Sequence, residues 1–214
     1  MNKIFKMKFA IQVKKEHYFQ GYDTKERWAS YWYQINEVLK TKPKKVLEIG
    51  IGNKTVANYL KNQGIKVTTV DIDKNLEPDF VGSVTELSKI FKKNSFDTSL
   101  CAQVLEHLPF KYFEASLSEI NKITKKYFIF SLPYHAIYLS LSLKIPLFKR
   151  KYLVPKMPLF FIKYKKNGLH YWEVGTRNYP LKKIRKSIKK YFYIEKEYSP
   201  PENPGQRFFI LRIL

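Results

Sequence analysis

Of the chain's 214 residues only Cys101 is a cysteine, so no internal disulfide framework can form and a cysteine-based zinc site lacks its sulfur. Acids are scarce: 18 Asp and Glu stand against 40 Lys and Arg, for a net charge of +22. No uncharged apolar run reaches the roughly 18 residues that cross a bilayer. The opening MNKIFKMKFAIQVKKEHYF is interrupted by lysines and has neither the apolar core nor the small-residue cleavage site of a secretory signal. The chain therefore reads as not secreted and cytoplasmic. Hydrophobic residues make up 44% and aromatics 16%, too apolar for disorder, and the length suits a single domain.

The positive charge is unevenly placed. Between residues 144 and 196 the sequence carries 16 Lys and Arg against Glu173 and Glu195 alone. Such a one-sided field attracts polyanions: nucleic acid, anionic lipid headgroups or phosphorylated glycans. A lysine-rich solvated surface without a partner is the plain alternative.

Residues 44–131 alternate strand-like and helix-like runs. KVLEIG (45–50), IKVTTVDID (65–73), DFVGSV (79–84), SFDTSLCAQ (95–103) and KYFIFSLP (126–133) read as extended. NKTVANYLKNQG (53–64), TELSKIFKKN (85–94, capped by Thr85) and PFKYFEASLSEINKIT (109–124) read as helices. An N-terminal helix from about Thr24 to Lys40 places Trp28, Tyr31, Ile35 and Val38 toward the sheet. PLKKIRKSIKKYF (180–192) is a basic helix, and 192–199 with 206–214 form an antiparallel pair around PPENPG. The pattern predicts an α/β fold: a doubly wound, mostly parallel seven-stranded sheet with an antiparallel C-terminal hairpin. The parts are an N-terminal helical segment (1–43), a core (44–133), an insertion after the fifth strand (134–179) and the C-terminal helix and hairpin (180–214). The insertion mixes aromatics, prolines and lysines. Its 137–147 stretch alternates with period two but also fits a short buried helix, and the whole reads as a lid over the sheet edge.

Ligands of parallel sheets sit at the strands' C-terminal ends, so VLEIGIGNKT (46–55) matters most. Gly50 and Gly52 admit a ligand to bare backbone, and the helix that follows favours a negative group. GIGNKT lacks the second glycine of a P-loop, and Thr55 stands where a dinucleotide fingerprint needs its third. What remains is a ligand with a small carboxylate and a positive charge, for which Glu48 is a counter-ion.

VLEIGIGN resembles the E-x-G-x-G signature of class I S-adenosylmethionine-dependent methyltransferases. TTVDID follows with Asp71, 19 residues past Gly52; then come VGSVTEL and FDTSLCAQVLEHLP, with the V-L-E-H element of a large branch of that family. The resemblance implies S-adenosyl-L-methionine as cofactor. Glu48 would hold its ammonium beside Gly50, Gly52 and Asn53. Asp71, with Ile72, would take the ribose, Ser83 and Val84 would flank the adenine, and Gln103 would face the cleft. Where the family often has a third glycine this chain has Lys54. NGLHYWEVGTRNYPLKKIRK and PPENPGQRFFIL are similar to C-terminal segments of bacterial methyltransferases, some of them in cell-envelope and glycan biosynthesis.

Methyl transfer from a sulfonium releases a neutral thioether, so no metal is expected; alignment and exclusion of water dominate. His107, His170 and Tyr171 are the candidate catalytic side chains, with His135 a further His near the cleft. The expected acceptor is a small-molecule, lipid-linked or glycan group, amphipathic or anionic, met in the cytoplasm or at the inner face of an anionic membrane. Two alternatives are a nucleic-acid methyltransferase, against which the lack of an N-P-P-Y-type motif counts, and a non-catalytic protein that keeps the fold.

Overall fold

The computed structural model describes residues 9–148, 150–166 and 168–214, so the first eight positions of the lysine-interrupted opening lie outside the described residues. Thr24 starts the first helix by accepting from the Arg27 N–H, and α1 runs Lys25–Lys40. Then follow β1 (Lys45–Ile49), α2 (Thr55–Asn62), β2 (Lys66–Asp71), β3 (Phe80–Val81), β4 (Phe96–Ala102), α3 (Phe113–Ile123) and β5 (Thr124–Pro133). Four short strands come next: β6 (Ala136–Tyr138), β7 (Leu141–Leu143), β8 (Lys151–Leu153) and β9 (Lys156–Pro158). The chain closes with α4 (Leu181–Ile188), β10 (Phe192–Tyr198) and β11 (Gln206–Ile213).

Seven strands form one sheet in the order β10-β11-β5-β4-β1-β2-β3. Those from β5 to β3 are parallel, while β11 runs antiparallel to both β5 and β10. The mostly parallel sheet with its antiparallel end is the one the strand–helix rhythm predicts. Its order reverses between β1 and β4, which puts the ligand-binding crevice of such sheets at the C-terminal ends of these two strands.

Alternation along the strands builds two cores. Ile129, Phe208 and Ile210 pack on the face covered by α1 and α2, whereas Phe128, Phe130, Phe209 and Leu211 pack on the face covered by α3 and α4. The second face is aromatic: Phe130 stacks on Phe128 and on Phe209 with ring centroids 4.9 and 4.7 Å apart.

Three expectations need correction. Residues 85–94 make only a 3₁₀ turn at Leu87–Lys89. The backbone N–H and hydroxyl of Ser88 both donate to Glu119 on α3; Glu86, not Thr85, precedes the turn, which has no side-chain cap, and the Thr85 N–H itself donates to the Ser83 hydroxyl. A tertiary acid has taken over the backbone donor there. Trp28 is 56% exposed, whereas Tyr31, Ile35 and Val38 pack toward the sheet as expected. The period-two stretch is extended, as β6 and β7, and pairs with β9 and β8 in a two-tier antiparallel arm, which Ser140, Tyr152 and Lys156 tether to the β10–β11 loop by donating to Pro201, Glu202 and Pro204. Only the return of the insertion covers the strand ends, where Trp172 and Val174 are buried.

Trp172 locks that return. Its indole N–H donates to the Leu108 carbonyl at 2.9 Å, and its ring meets Phe110 and Phe113 edge-on. Trp172→Ala should cost about 3–5 kcal/mol in urea unfolding. Trp172→Phe, which keeps most of the volume but orphans that carbonyl, should cost about 1–3 kcal/mol.

Candidate functional site

Beyond the ends of β1 and β4 lies a cavity of about 270 Å³. β1 delivers Glu48 to it. Gly50 turns the chain with φ +78°, and its N–H donates to the Val70 carbonyl at 2.9 Å. A Cβ on Gly50 would strike the Val104 side chain, and one on Gly52 would touch the Tyr18 ring at 3.4 Å. Gly50 is therefore required by close approach as well as by positive φ, whereas at Gly52 the contact is an ordinary one and the φ of +48° alone favours glycine. Lys54 sits in the left-handed region with φ +64°. That explains why a third glycine suits this position in related sequences; here the conformation is carried by a residue with a side chain, at a cost of order 1 kcal/mol.

The Glu48 carboxyl is 5% exposed, and its Oε2 has no hydrogen-bond partner among the described residues. Burial pushes its pKa up to about 8 against the pull of Lys61, and the Asp71 charge adds to the rise. Asp71, at the end of β2, is held more firmly. One carboxylate oxygen accepts from the Ile51 N–H and the other from the Asp73 N–H, both at 2.9 Å. Burial still raises its pKa. Two acids converging on bare backbone, one with an unsatisfied oxygen, form a receptor for a cationic ligand rich in hydroxyls.

The remaining expected residues mostly meet here. Ile72, Ser83, Val84, Gln103, His107 and His170 line the same cavity as Glu48, Gly50, Gly52, Asn53 and Asp71. Asn53 spends its amide N–H groups on Asp23 and Tyr31, and its oxygen on the Thr55 N–H. Gln103 donates its amide to the Ser131 hydroxyl, which leaves its carbonyl oxygen for the cavity. Ser83 shares its hydroxyl with Thr85. Tyr171 is not among the lining residues: the Lys166 ammonium covers its ring at 3.8 Å. His135 is absent from the lining too, and bonds Glu173 at 3.1 Å.

His107 hydrogen-bonds the Leu169 carbonyl at 3.1 Å. Burial, with the neighbouring His170, presses its pKa down to about 4, so it is neutral near pH 7. His170 lies against it, ring centroids 5.0 Å apart, with Nδ1 2.8 Å from Glu173. Burial opposes the charge on His170, but Glu173 and Glu106 outweigh it and the pKa is raised.

Residues that no motif marks close the far side. Phe9, Gln12, Tyr18, Tyr22 and Arg27, from the N-terminal stretch and the start of α1, all line the cavity. Their one sequence signal is a run of aromatics in a segment with no clear periodicity.

Glu48 also sets a pH dependence. Its folded pKa, about 8, lies above the ordinary 4.5, so the native chain holds a proton there that the unfolded chain has lost. Stability should therefore fall as pH rises from about 4.5 to about 8. Glu48→Gln should flatten the part of this slope due to Glu48 and stabilise the ligand-free protein at pH 8 by roughly 1–3 kcal/mol. Urea unfolding of both proteins across that range checks it.

Residues 47–130 match a family described as a methyltransferase domain. Among solved structures, a protein from Pyrococcus horikoshii is 14% identical with a TM-score of 0.62, over 94% of this chain and 100% of that one. The Burkholderia thailandensis 1,6-didemethyltoxoflavin-N1-methyltransferase, bound to 1,6-didemethyltoxoflavin and S-adenosylhomocysteine, is 16% identical with a TM-score of 0.61, over 92% of this chain and 84% of that one. The magnesium protoporphyrin IX methyltransferase of Synechocystis PCC 6803, with S-adenosylhomocysteine bound, is 13% identical with a TM-score of 0.60, over 88% and 84%. At these identities the likeness is one of fold. No curated protein matches the sequence. Domain match and fold together support an S-adenosylmethionine-dependent methyltransferase.

Proposed function

We propose that the chain methylates an amphipathic acceptor, a lipid-linked or glycan-bearing group presented at an anionic membrane surface. The cofactor half of the reading rests on the fit of the crevice. The unsatisfied Oε2 of Glu48 suits an ammonium, and the free lone pairs of Asp71 suit a pair of vicinal hydroxyls. Gly50 and Gly52 leave room for a carboxylate against backbone. Asn53, with its side chain fully engaged, would contribute through its main chain, and Ile72, Ser83 and Val84 would flank the base. Bound S-adenosylmethionine supplies an electrophilic methyl group whose departure leaves a neutral thioether. The protein's part is to align the acceptor and keep water out. The V-L-E-H element from Val104 to His107 supports membership of that branch in this reading, and Val104 packs over Gly50. In this reading 1–214 is one methyltransferase domain, in which 44–133 holds the cofactor and 134–179 meets the acceptor.

The exposed apolar face of the antiparallel arm is the observation that carries the acceptor half. Leu139, Leu143, Leu147, Phe148, Leu153 and Phe160 are each more than half exposed on it, and Leu147 is wholly so. Between residues 136 and 166 the sequence has eight Lys and Arg and no acid. Apolar groups ringed by cations suit an anionic bilayer interface, where each basic residue contributes about 1 kcal/mol. The arm is rooted beside the cavity: His135 at its base shares Glu173 with the cavity-lining His170. No helix among the described residues is long and apolar enough to cross a membrane.

Two measurements test the two halves separately. Asp71→Ala should weaken S-adenosylhomocysteine binding by roughly 100-fold in calorimetry, as expected for two lost charge-assisted hydrogen bonds; undiminished affinity would remove the crevice from consideration. The wild-type chain should co-sediment with phosphatidylglycerol vesicles and not with phosphatidylcholine vesicles. Leu147→Asp with Phe148→Asp should release it without changing cofactor affinity. Absence of vesicle binding, alongside steeply salt-dependent RNA binding, would favour a nucleic-acid acceptor instead.

A further inference from the structure

The turn Leu105–His107 and the returning insertion bring three donor groups together beside the cavity. The Glu106 carboxylate and one ring nitrogen each of His107 and His170 lie within 4.8 Å of one another. Glu106 is 0% exposed, and neither of its carboxylate oxygens has a hydrogen-bond partner among the described residues. The charged groups that bear on it are His170, Glu173 and Arg27, and none of them satisfies an oxygen. A carboxylate wholly buried with two bare oxygens costs free energy unless something outside the chain meets it.

Both imidazoles are prepared for that something. A carbonyl oxygen only accepts, so the contact of His107 Nδ1 with Leu169 places the proton on Nδ1 and leaves Nε2 bare. His170 Nδ1 donates to Glu173, whose other oxygen is 3.1 Å from His135 Nδ1. Outer partners of this kind set the tautomer and orientation of metal-ligating histidines.

We propose that Glu106, His107 and His170 form a divalent transition-metal site, closed by one carboxylate and two Nε2 atoms and backed by Glu173 and the Leu169 carbonyl. Two imidazoles and a carboxylate suit Zn²⁺, Mn²⁺, Fe²⁺ or Co²⁺ better than the all-oxygen shells of Mg²⁺ or Ca²⁺. Donors around a tetrahedral Zn²⁺ stand about 3.3 Å apart, so side chains whose donor atoms already come within 4.8 Å of one another are near enough to close on an ion by small side-chain rotations. His107 and His170 line the cavity, so an ion held by them would stand at its wall. There a metal would hold and acidify an acceptor oxygen. That role rests on the methyltransferase reading; the binding of the ion does not.

The test uses the full chain stripped with a chelator and titrated with ZnCl₂ or CoCl₂, with S-adenosylhomocysteine affinity measured in parallel. One Co²⁺ per chain is expected, with the visible absorption of a four- or five-coordinate ion displaced by Zn²⁺. Glu106→Gln and His170→Ala should each weaken metal binding by roughly 100-fold, and Glu173→Gln, which touches only the outer nitrogen, by roughly tenfold. The wild-type Co²⁺ spectrum needs no variant to fold. Failure of the wild type to take up stoichiometric metal, or unchanged affinity in the ligand variants, overturns the site. With S-adenosylhomocysteine affinity intact, that result leaves the methyltransferase reading standing; loss of that affinity in the wild type sinks the latter alone.

Discussion

A carboxyl group taken out of water with one oxygen unmatched works against folding, and Glu48 is such a group at the tip of a central strand. The rest of the sheet keeps it there. β2 and β4 flank β1 on both sides, so its strand end cannot move toward solvent without breaking two ladders. The two glycines that follow remove the side chains that would otherwise fill the space before it. Asp71 is tied to the glycine loop by the Ile51 N–H and to its own turn by the Asp73 N–H, which fixes the separation of the two acids. Stability has been given up locally for a shaped, polar crevice, as is common where strain and unpaired charge collect at functional sites.

Much of this is written in local sequence. The strand–helix alternation, the glycines after β1 and the acid ending β2 are short-range signals, and each survives into the fold. Gly64, at φ +78°, ends α2 where the pattern stops. The failures are long-range. Nothing in residues 85–94 shows that Glu119, more than two dozen positions away, captures Ser88 and unwinds a helix that the apolar spacing favours. Nothing local tells that Trp28 faces outward while Tyr31, one turn on, is buried.

The site divides the same way. Glu48 stands out because an acid interrupts an apolar run before two glycines. Glu106 interrupts the apolar VLEHL stretch in the same manner, yet the V-L-E-H element draws the eye to its histidine. The pairing of His170 with Glu173 is visible as a spacing of three residues, but its approach to His107 depends on how the insertion returns over the strand ends, locked by Trp172. The arm illustrates the limit of periodicity: period two identifies strands, not whether their apolar side faces the core.

The stretch from Phe9 to Tyr22 forms one wall of the cavity while contributing a single 3₁₀ turn that buries none of its residues. It is fastened by the Phe9 ring edge-on against Tyr112, by the Arg27 guanidinium over Tyr22 and by the Gln12 amide on the His107 carbonyl. Few groups thus separate the crevice from bulk solvent on that side, and none of them belongs to the sheet. The wall on that side is thus held by ring contacts and a single amide rather than by β-ladders, so substitutions there can reshape the crevice without touching the hydrogen bonds of the sheet.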